Sequence, residues 1–147
     1  MKEPEQSRPE PPAQPERGGS GSVLYIEDNP DNLFLLKEII EAHRPGVTLL
    51  TAAQGNIGLE MAKEYQPALI LLDMHMPGMS GLKVFQHLQS FPETKNIPVV
   101  AVSANVLKSD IEKTLALGIN EYLTKPISIE KILQTLDRYL GPPSKGL

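Results

Sequence analysis

Short apolar runs alternate with amphipathic segments from residue 23 to residue 140. The apolar runs are short and carry little polar alternation, which is typical of strands buried on both faces. The segments between them place apolar residues three or four positions apart, which is typical of helices that pack on one face. The predicted strands are 23–27, 47–52, 68–73, 97–104 and 121–126. Five helices are predicted. The first begins at Pro30, the next three span 57–65, 82–91 and 110–118, and the last begins at Ile129.

The same spacing predicts which helix faces are buried. These faces are Leu33, Leu36 and Ile40 in the first helix, Ile57, Met61 and Tyr65 in the second, Leu82, Phe85 and Leu88 in the third, and Ile129, Ile132, Leu136 and Leu140 in the last. Asn29 and Ser128 are good N-caps for the first and last helices, and Pro30 suits a first helical turn. Helix-ending residues follow the last three helices, namely Pro92, Gly118 and Gly141-Pro142.

Five strands that alternate with five helices predict a single α/β domain. Each pair of parallel strands needs a crossover, and the helices of these crossovers cover both faces of the sheet. We therefore expect a doubly wound parallel sheet. All carboxyl ends of its strands lie at one edge, and a ligand crevice forms there at the point where the strand order reverses. The residues alone leave two common strand orders open.

Polar side chains follow four of the five predicted strands. Glu27 and Asp28 follow the first strand, Asp73 ends the third, Ser103 lies at the end of the fourth, and Lys125 at the end of the fifth. A carboxylate is costly to bury unless it is paired or metal-bound, so an acid that ends a buried strand indicates a chemical need for it there. Because these strand ends share one edge, the sequence predicts that three acids, a hydroxyl group and an ammonium group converge.

This set of groups suits phosphoryl chemistry. Three neighbouring carboxylates repel one another unless a cation lies among them, and oxygen ligands without Cys or His favour Mg²⁺ or Mn²⁺. Lys125 and Ser103 offer a positive charge and a hydroxyl donor for phosphoryl oxygens. Asp73 is the candidate nucleophile, because an aspartate can form an acyl phosphate.

The composition excludes several classes of protein. The chain of 147 residues has no cysteine, three histidines and a net charge of −4. Disulfides, thiolate catalysis and Cys-based zinc sites are therefore excluded, and the negative charge argues against nucleic-acid or anionic-membrane surfaces. No apolar run approaches the roughly 18 residues of a membrane span. We expect a cytoplasmic protein that contacts neither nucleic acid nor membrane directly.

Both ends of the chain differ in composition from the part between them. Residues 1–22 are rich in Pro, charge and Gly/Ser, and too poor in apolar residues to offset the entropy of ordering. They are predicted to be a disordered tail or an interdomain linker, with a vector-derived tail as the alternative. The predicted domain spans 23–141, and 142–147 is a short C-terminal tail.

Four motifs resemble those of the response regulator receiver domain of two-component signalling. They are IEDN, LLDMHMPGMSG, VVAVSAN and EYLTKP, in the same order and on the same strands, and the resemblance covers about residues 22–141. It implies a flavodoxin-like (βα)5 sheet in the order 2-1-3-4-5. It also implies that Asp73 accepts a phosphoryl group from a phosphohistidine of a histidine kinase or a histidine phosphotransfer protein.

The resemblance implies a role for each residue of the metal and phosphoryl site. Asp28 would bind Mg²⁺ directly and Glu27 through water, together with Asp73 and the main-chain carbonyl of His75. Lys125 would pair with the phosphoryl group, and Ser103 would donate a hydrogen bond to it. The Lys125–Pro126 peptide bond would be cis.

The resemblance also implies how the signal is passed on and lost. Ser103 and Tyr122 would switch the surface formed by the fourth helix, fifth strand and fifth helix. His75 and Asn105 would flank the water that hydrolyses the aspartyl phosphate. No catalysis is expected beyond the domain's own phosphorylation and dephosphorylation, and a monomer is expected.

Two other classes and two contexts stay open at this point. A haloacid-dehalogenase-like phosphatase also uses a strand-end Asp with Mg²⁺, although its motif carries a second Asp where this chain has His75. A flavodoxin shares the fold, but no Ser/Thr/Gly-rich phosphate loop follows the first strand. Within the receiver interpretation, the chain is either a single-domain regulator or the receiver of a hybrid histidine kinase.

Overall fold

In the computed structural model of the protein, residues 21–142 are described. Five strands and five helices alternate along this part of the chain, and none of these helices is long and apolar enough to cross a membrane. The strands are β1 (Gly21–Ile26), β2 (Val47–Ala52), β3 (Leu69–Asp73), β4 (Val99–Ser103) and β5 (Glu121–Thr124). The helices are α1 (Pro30–His43), α2 (Gly55–Tyr65), α3 (Gly81–Ser90), α4 (Lys108–Ala116) and α5 (Ile129–Leu140).

The strands form one parallel sheet in the order β2-β1-β3-β4-β5. On one side β1 pairs with β2, in a register that joins Gly21 to Val47. On the other side it pairs with β3, in a register that joins Val23 to Leu69. The strand order reverses between β1 and β3, so the ends of these two strands flank the crevice. The predicted doubly wound α/β fold and its strand order are confirmed.

Each face of the sheet buries its own apolar core, because alternate strand residues point to opposite faces. One face packs against α2 and α3, with Leu59 and Phe85 among the buried contacts. The other packs against α1 and α5, with Leu36 and Leu136 among them. None of the residues of α4 is buried. Little apolar burial therefore holds α4 in place, which favours its movement over that of the other helices.

Side-chain caps begin α1 and α5, as predicted. The side chain of Asn29 accepts a hydrogen bond from the main-chain nitrogen of Asp31 over 2.8 Å. Ser128 Oγ accepts one from the main-chain nitrogen of Lys131 over 3.2 Å. Because Asn29 directly follows Asp28, the first cap also fixes the course of the chain beside the predicted acids.

The buried faces predicted for three helices were wrong at one residue each. Ile57 is 43% exposed, Leu82 is 39% exposed and Ile129 is 48% exposed. In the second helix Met61 and Tyr65 are partly buried and pack against the core. The buried face consists of smaller residues, namely Gly55, Gly58, Leu59 and Ala62. A Cβ atom on Gly58 would lie 2.5 Å from Cδ1 of Ile26, so α2 lies too close to β1 for a larger residue. The close approach of the backbones therefore decides this face.

The first strand begins two residues before the predicted start of the domain. Gly21 pairs with Val47 and Ser22 with Thr48, so both residues belong to the sheet. Their strand conformation comes from pairing with β2, which an apolar pattern does not reveal. The predicted tails over 1–20 and 143–147 lie outside the described residues and stay predictions.

Candidate phosphoryl and metal site

The carboxyl ends of four strands bring the predicted polar groups together. Glu27 and Asp28 follow β1, Asp73 ends β3, Ser103 ends β4, and Lys125 follows β5. One carboxylate oxygen from each of the three acids lies within 4.8 Å of the other two. We call Glu27, Asp28, Asp73 and Lys125 the acid pocket.

Asp73 is almost fully buried in the acid pocket. Its Oδ1 accepts a hydrogen bond from the main-chain nitrogen of His75 over 3.0 Å, and its Oδ2 lies 3.4 Å from Lys125 Nζ. Burial, together with the charge of Glu27, raises the pKa of Asp73 to about 6, although the His75 hydrogen bond and Lys125 act in the opposite direction. As pH falls, Asp73 is therefore protonated before Glu27, whose pKa is lowered.

Glu27 is fully buried and has three hydrogen-bond donors. Tyr25 Oη donates to Oε1 over 3.0 Å, the main-chain nitrogen of Asn29 donates to Oε2 over 3.1 Å, and Lys125 Nζ lies 3.0 Å from Oε1. Burial alone would raise the pKa of Glu27, but the hydrogen bonds from Lys125, Asn29 and Tyr25 lower it. Glu27 is therefore an ionised group inside the protein.

Lys125 joins the two buried acids. Burial alone would lower its pKa, but the hydrogen bond that it donates to Glu27 and the charges of Asp73 and Glu27 raise it. The group is therefore a fixed cation at the edge of the sheet. The Lys125–Pro126 peptide bond is cis, as expected.

Asp28 is the exposed member of the acid pocket. Its carboxylate lies at the solvent side of Glu27 and Asp73, which are both buried. An oxygen-only donor set with one side open to water suits Mg²⁺, which keeps several of its water ligands. The residues present therefore fit a magnesium ion.

Asn105 connects Ser103, Tyr122 and α4 through a set of hydrogen bonds. Its main-chain nitrogen donates to Ser103 Oγ over 3.0 Å, and its main-chain oxygen accepts from Tyr122 Oη over 2.8 Å. Its side chain accepts from the main-chain nitrogen of Leu107 over 3.0 Å and donates to Asp110 Oδ2 over 2.9 Å. The main-chain groups of Asn105 thus bind the sheet edge, and its side chain binds the first turn of α4.

The side chain of His75 is exposed, and a cleft of about 300 Å³ lies beside it. This cleft lies between the residues that follow β3 and helix α4, and its lining includes His75, Leu82, Asn105, Lys113, Leu117 and Tyr122. The loop before the cleft needs glycine at residue 81. A Cβ atom there would lie 2.6 Å from the main-chain oxygen of Asp73, so α3 begins directly behind the candidate nucleophile.

Tyr25 is a residue of this site that the sequence analysis missed. It is fully buried within β1, and its only polar atom reaches Glu27. A signal was available, because residues two apart on a strand point to the same face. A tyrosine two positions before a buried acid can therefore place its hydroxyl group beside that acid.

The chain is similar to proteins of one family. The pattern described as response regulator receiver domain matches residues 23–137. The polar-differentiation response regulators DivK of Brucella anthropi and Brucella ovis are each 38% identical to it over 120 residues, which are 82% of this chain and 96% of each relative. The chain therefore belongs to the response regulator receiver domain family, as the motifs indicate.

Solved structures have the same fold. The receiver domain of sensor histidine kinase PA1611 from Pseudomonas aeruginosa PAO1, with a magnesium ion coordinated in its active site cleft, matches with a TM-score of 0.74 and 26% identity. The match covers 83% of this chain and 98% of that one. The chemotaxis protein CheY4 of Vibrio cholerae matches with a TM-score of 0.74 and 23% identity, over 85% of this chain and all of that one.

The raised pKa of Asp73 predicts that its ionisation destabilises the metal-free protein. The pKa of Asp73 is higher in the folded than in the unfolded state. The folded protein therefore loses stability as pH rises from about 4 to about 6, because Asp73 gives up its proton over this range. At pH 7.5 the Asp73→Asn variant should therefore be more stable than the wild type, with a free energy of unfolding higher by roughly 1–3 kcal/mol. The excess should vanish near pH 4. Urea unfolding with a chelator present measures both values, and a difference that does not change with pH would contradict the prediction.

Proposed function

We propose that this receiver domain accepts a phosphoryl group on Asp73 from a phosphohistidine of a histidine kinase or a histidine phosphotransfer protein. The observation that carries the proposal is the position of the Asp73 carboxylate. It ends a buried central strand within 4.8 Å of two other acids, and Lys125 lies 3.4 Å away. A structural carboxylate would not need this costly setting.

The reaction is a displacement at phosphorus. A carboxylate oxygen of Asp73 forms a bond to phosphorus, the bond from phosphorus to the imidazole nitrogen of the donor breaks, and the electron pair stays on that nitrogen. Lys125 balances charge on the phosphoryl oxygens, and Ser103 donates a hydrogen bond to one of them. When bound, Mg²⁺ supplies further positive charge to these oxygens. The domain needs no other catalytic activity.

The proposed metal ligands divide by burial. Asp28 is exposed and would bind Mg²⁺ directly, together with Asp73 and the main-chain carbonyl of His75. Both oxygens of Glu27 already accept hydrogen bonds, which supports an indirect role through a water molecule. Mn²⁺ has the same ligand preferences and is the expected substitute.

The proposed switch runs through Ser103 and Tyr122. A phosphoryl group on Asp73 adds roughly −1.5 to −2 charges at the sheet edge, where the Ser103 hydroxyl can turn toward it. The hydroxyl then alters its bond with Asn105, whose main-chain oxygen holds Tyr122. We propose that the surface of α4, β5 and α5 changes in response.

The lifetime of the aspartyl phosphate is assigned to His75 and Asn105. The exposed imidazole of His75 lies beside the cleft and in its neutral form can accept a proton from water. Asn105 lines the same cleft, although its amide is bonded to Asp110. The rate at which phosphorylated Asp73 loses its phosphoryl group measures this role. The His75→Ala variant should lose it more slowly than the wild type, and an equal rate would refute the role.

We further propose that the domain acts as a monomer in the cytoplasm. Its net charge of −4 supports an absence of direct contact with nucleic acid or anionic membrane. Sedimentation at several protein concentrations measures the oligomeric state, and a dimer in the unphosphorylated protein would contradict the proposal.

Phosphorylation should occur on Asp73 alone. Incubation of the wild type with phosphoramidate and Mg²⁺ should add one base-labile phosphoryl group, and Asp73→Asn should add none, because Asn lacks the nucleophilic oxygen. Intact-mass spectrometry before and after mild base measures both. Asp137→Asn is the control, because Asp137 is a carboxylate of α5 that pairs with Arg44 away from the acid pocket. Unchanged labelling in Asp73→Asn would end the proposal.

Mg²⁺ binding should depend more on Asp28 than on Glu27. We expect a dissociation constant of roughly a millimolar or below for a site that retains its water ligands. Asp28→Ala should raise this constant more than Glu27→Ala, because it removes a direct ligand. Amide shifts of residues 73–75 during a MgCl₂ titration report the binding. Equal constants for the two variants would contradict the assigned roles.

The switch should extend beyond the acid pocket. Beryllofluoride, which mimics the phosphoryl group, should shift amide signals over residues 104–126 in the presence of Mg²⁺. Tyr122→Ala should confine the shifts to the pocket, because the ring that links the Asn105 carbonyl to β5 is lost. Wild-type shifts confined to the pocket would contradict the proposed route.

A further inference from the structure

Tyr25 places a hydroxyl group behind the acid pocket that the proposed phosphoryl transfer does not use. The ring is fully buried in β1, which pairs with a strand on each side. Its hydroxyl group donates to Glu27 Oε1 over 3.0 Å. Lys125 Nζ lies 3.0 Å from the same oxygen, so one carboxylate oxygen serves both a phenol and an ammonium group.

The ammonium group of Lys125 has two carboxylates within reach. Nζ lies 3.0 Å from Glu27 Oε1 and 3.4 Å from Asp73 Oδ2. Attraction between charges is stronger where water is excluded, and both carboxylates are buried. Because Glu27 is the nearer of the two, by itself it would draw Lys125 away from Asp73. A second donor on Oε1 weakens this attraction, because it compensates part of the charge on that oxygen.

We propose that Tyr25 is a positioning residue whose hydroxyl group shares Glu27 Oε1 with Lys125 and so keeps Lys125 within reach of Asp73. This inference rests on the proposed function, since it is the phosphoryl group on Asp73 that Lys125 serves. Phenylalanine at residue 25 fills the same space but offers no donor. Glu27 then loses the phenol as a donor and keeps Lys125 and the main-chain nitrogen of Asn29, and Lys125 moves toward Glu27.

The position of Tyr25 gives its hydroxyl group one orientation. Tyr25 and Glu27 are two residues apart and lie on the same side of the strand. The ring packs in the core between the sheet and the helices α1 and α5. A ring held this way cannot swing to another acceptor, so its hydroxyl group is a fixed donor to Glu27.

The rate of Asp73 phosphorylation tests the inference. Tyr25→Phe should slow labelling by phosphoramidate at saturating Mg²⁺ by about three- to tenfold, which is the size of the net contribution of one ordinary hydrogen bond. In a Glu27→Gln background the same change should slow labelling by less than about twofold, because neighbouring residues that act through one another are not additive. No slowing, or equal slowing in the two backgrounds, would overturn the proposal.

Thr94→Val is the control for the loss of a buried hydroxyl group. Thr94 is fully buried in the connection before β4, at the opposite edge of the sheet, and its hydroxyl donates to the main-chain oxygen of Leu88 over 2.7 Å. Its removal should lower the unfolding midpoint and leave the labelling rate per folded molecule unchanged. A slowing equal to that of Tyr25→Phe would assign both effects to general destabilisation and overturn the proposal.

Crystal structures of the metal-free wild type and Tyr25→Phe give a readout that needs no phosphorylation. The distance from Lys125 Nζ to Asp73 Oδ2 should be longer in the variant, and the distance to Glu27 Oε1 should not. An unchanged Lys125 would overturn the inference. If phosphoramidate does not label Asp73 in the wild type, the proposed function fails. The two crystal structures would still show whether Tyr25 controls the position of Lys125.

Discussion

The ammonium group of Lys125 lies between two buried carboxylates, and the acid pocket depends on this arrangement. Glu27 and Asp73 come from strands on either side of the point where the strand order reverses, so the parallel sheet forces them together. Two like charges in a buried place would repel strongly without a cation. Lys125 reaches both, and the result is an ionised Glu27 beside an Asp73 whose pKa is raised. The burial that raises this pKa also keeps the carboxylate away from bulk water.

Close backbone contacts hold the pocket in shape. At Gly81 a side chain would collide with the main-chain oxygen of Asp73, and at Gly58 it would collide with Ile26, the residue before Glu27. These two glycines let α3 and α2 pack against the strands that carry the acids. The backbone that carries the two buried acids is thus held by close packing directly beside them.

The residues predicted the alternation of strands and helices and the converging polar groups, because each polar group lies at the end of a strand and strand ends are marked by a change from apolar to polar residues. The strand order itself followed only from the resemblance to the family. The sequence analysis missed Tyr25, since a buried tyrosine within an apolar run looks like any other packing residue until its hydroxyl acceptor is known. It also missed the buried face of α2, where Gly58 and Ala62 pack and Ile57 faces outward. The spacing of large apolar residues in a sequence predicts a buried helix face, but where a helix lies close to a strand the buried face consists of small residues instead.

Burial differs between the acid pocket, which holds the charges, and helix α4, which is little buried. The three acids of the acid pocket lie at the ends of β1 and β3, the strands covered by helices on both faces, whereas α4 buries none of its residues. Asn105 stands between these two regions, with its nitrogen bonded to Ser103 and its oxygen bonded to Tyr122. Through this one segment the Ser103 hydroxyl group, the Tyr122 ring and the first turn of α4 are joined by hydrogen bonds. The proposed switch requires an element with two states that a local change of charge can bias, and the helix with the least burial is the one that costs least to move.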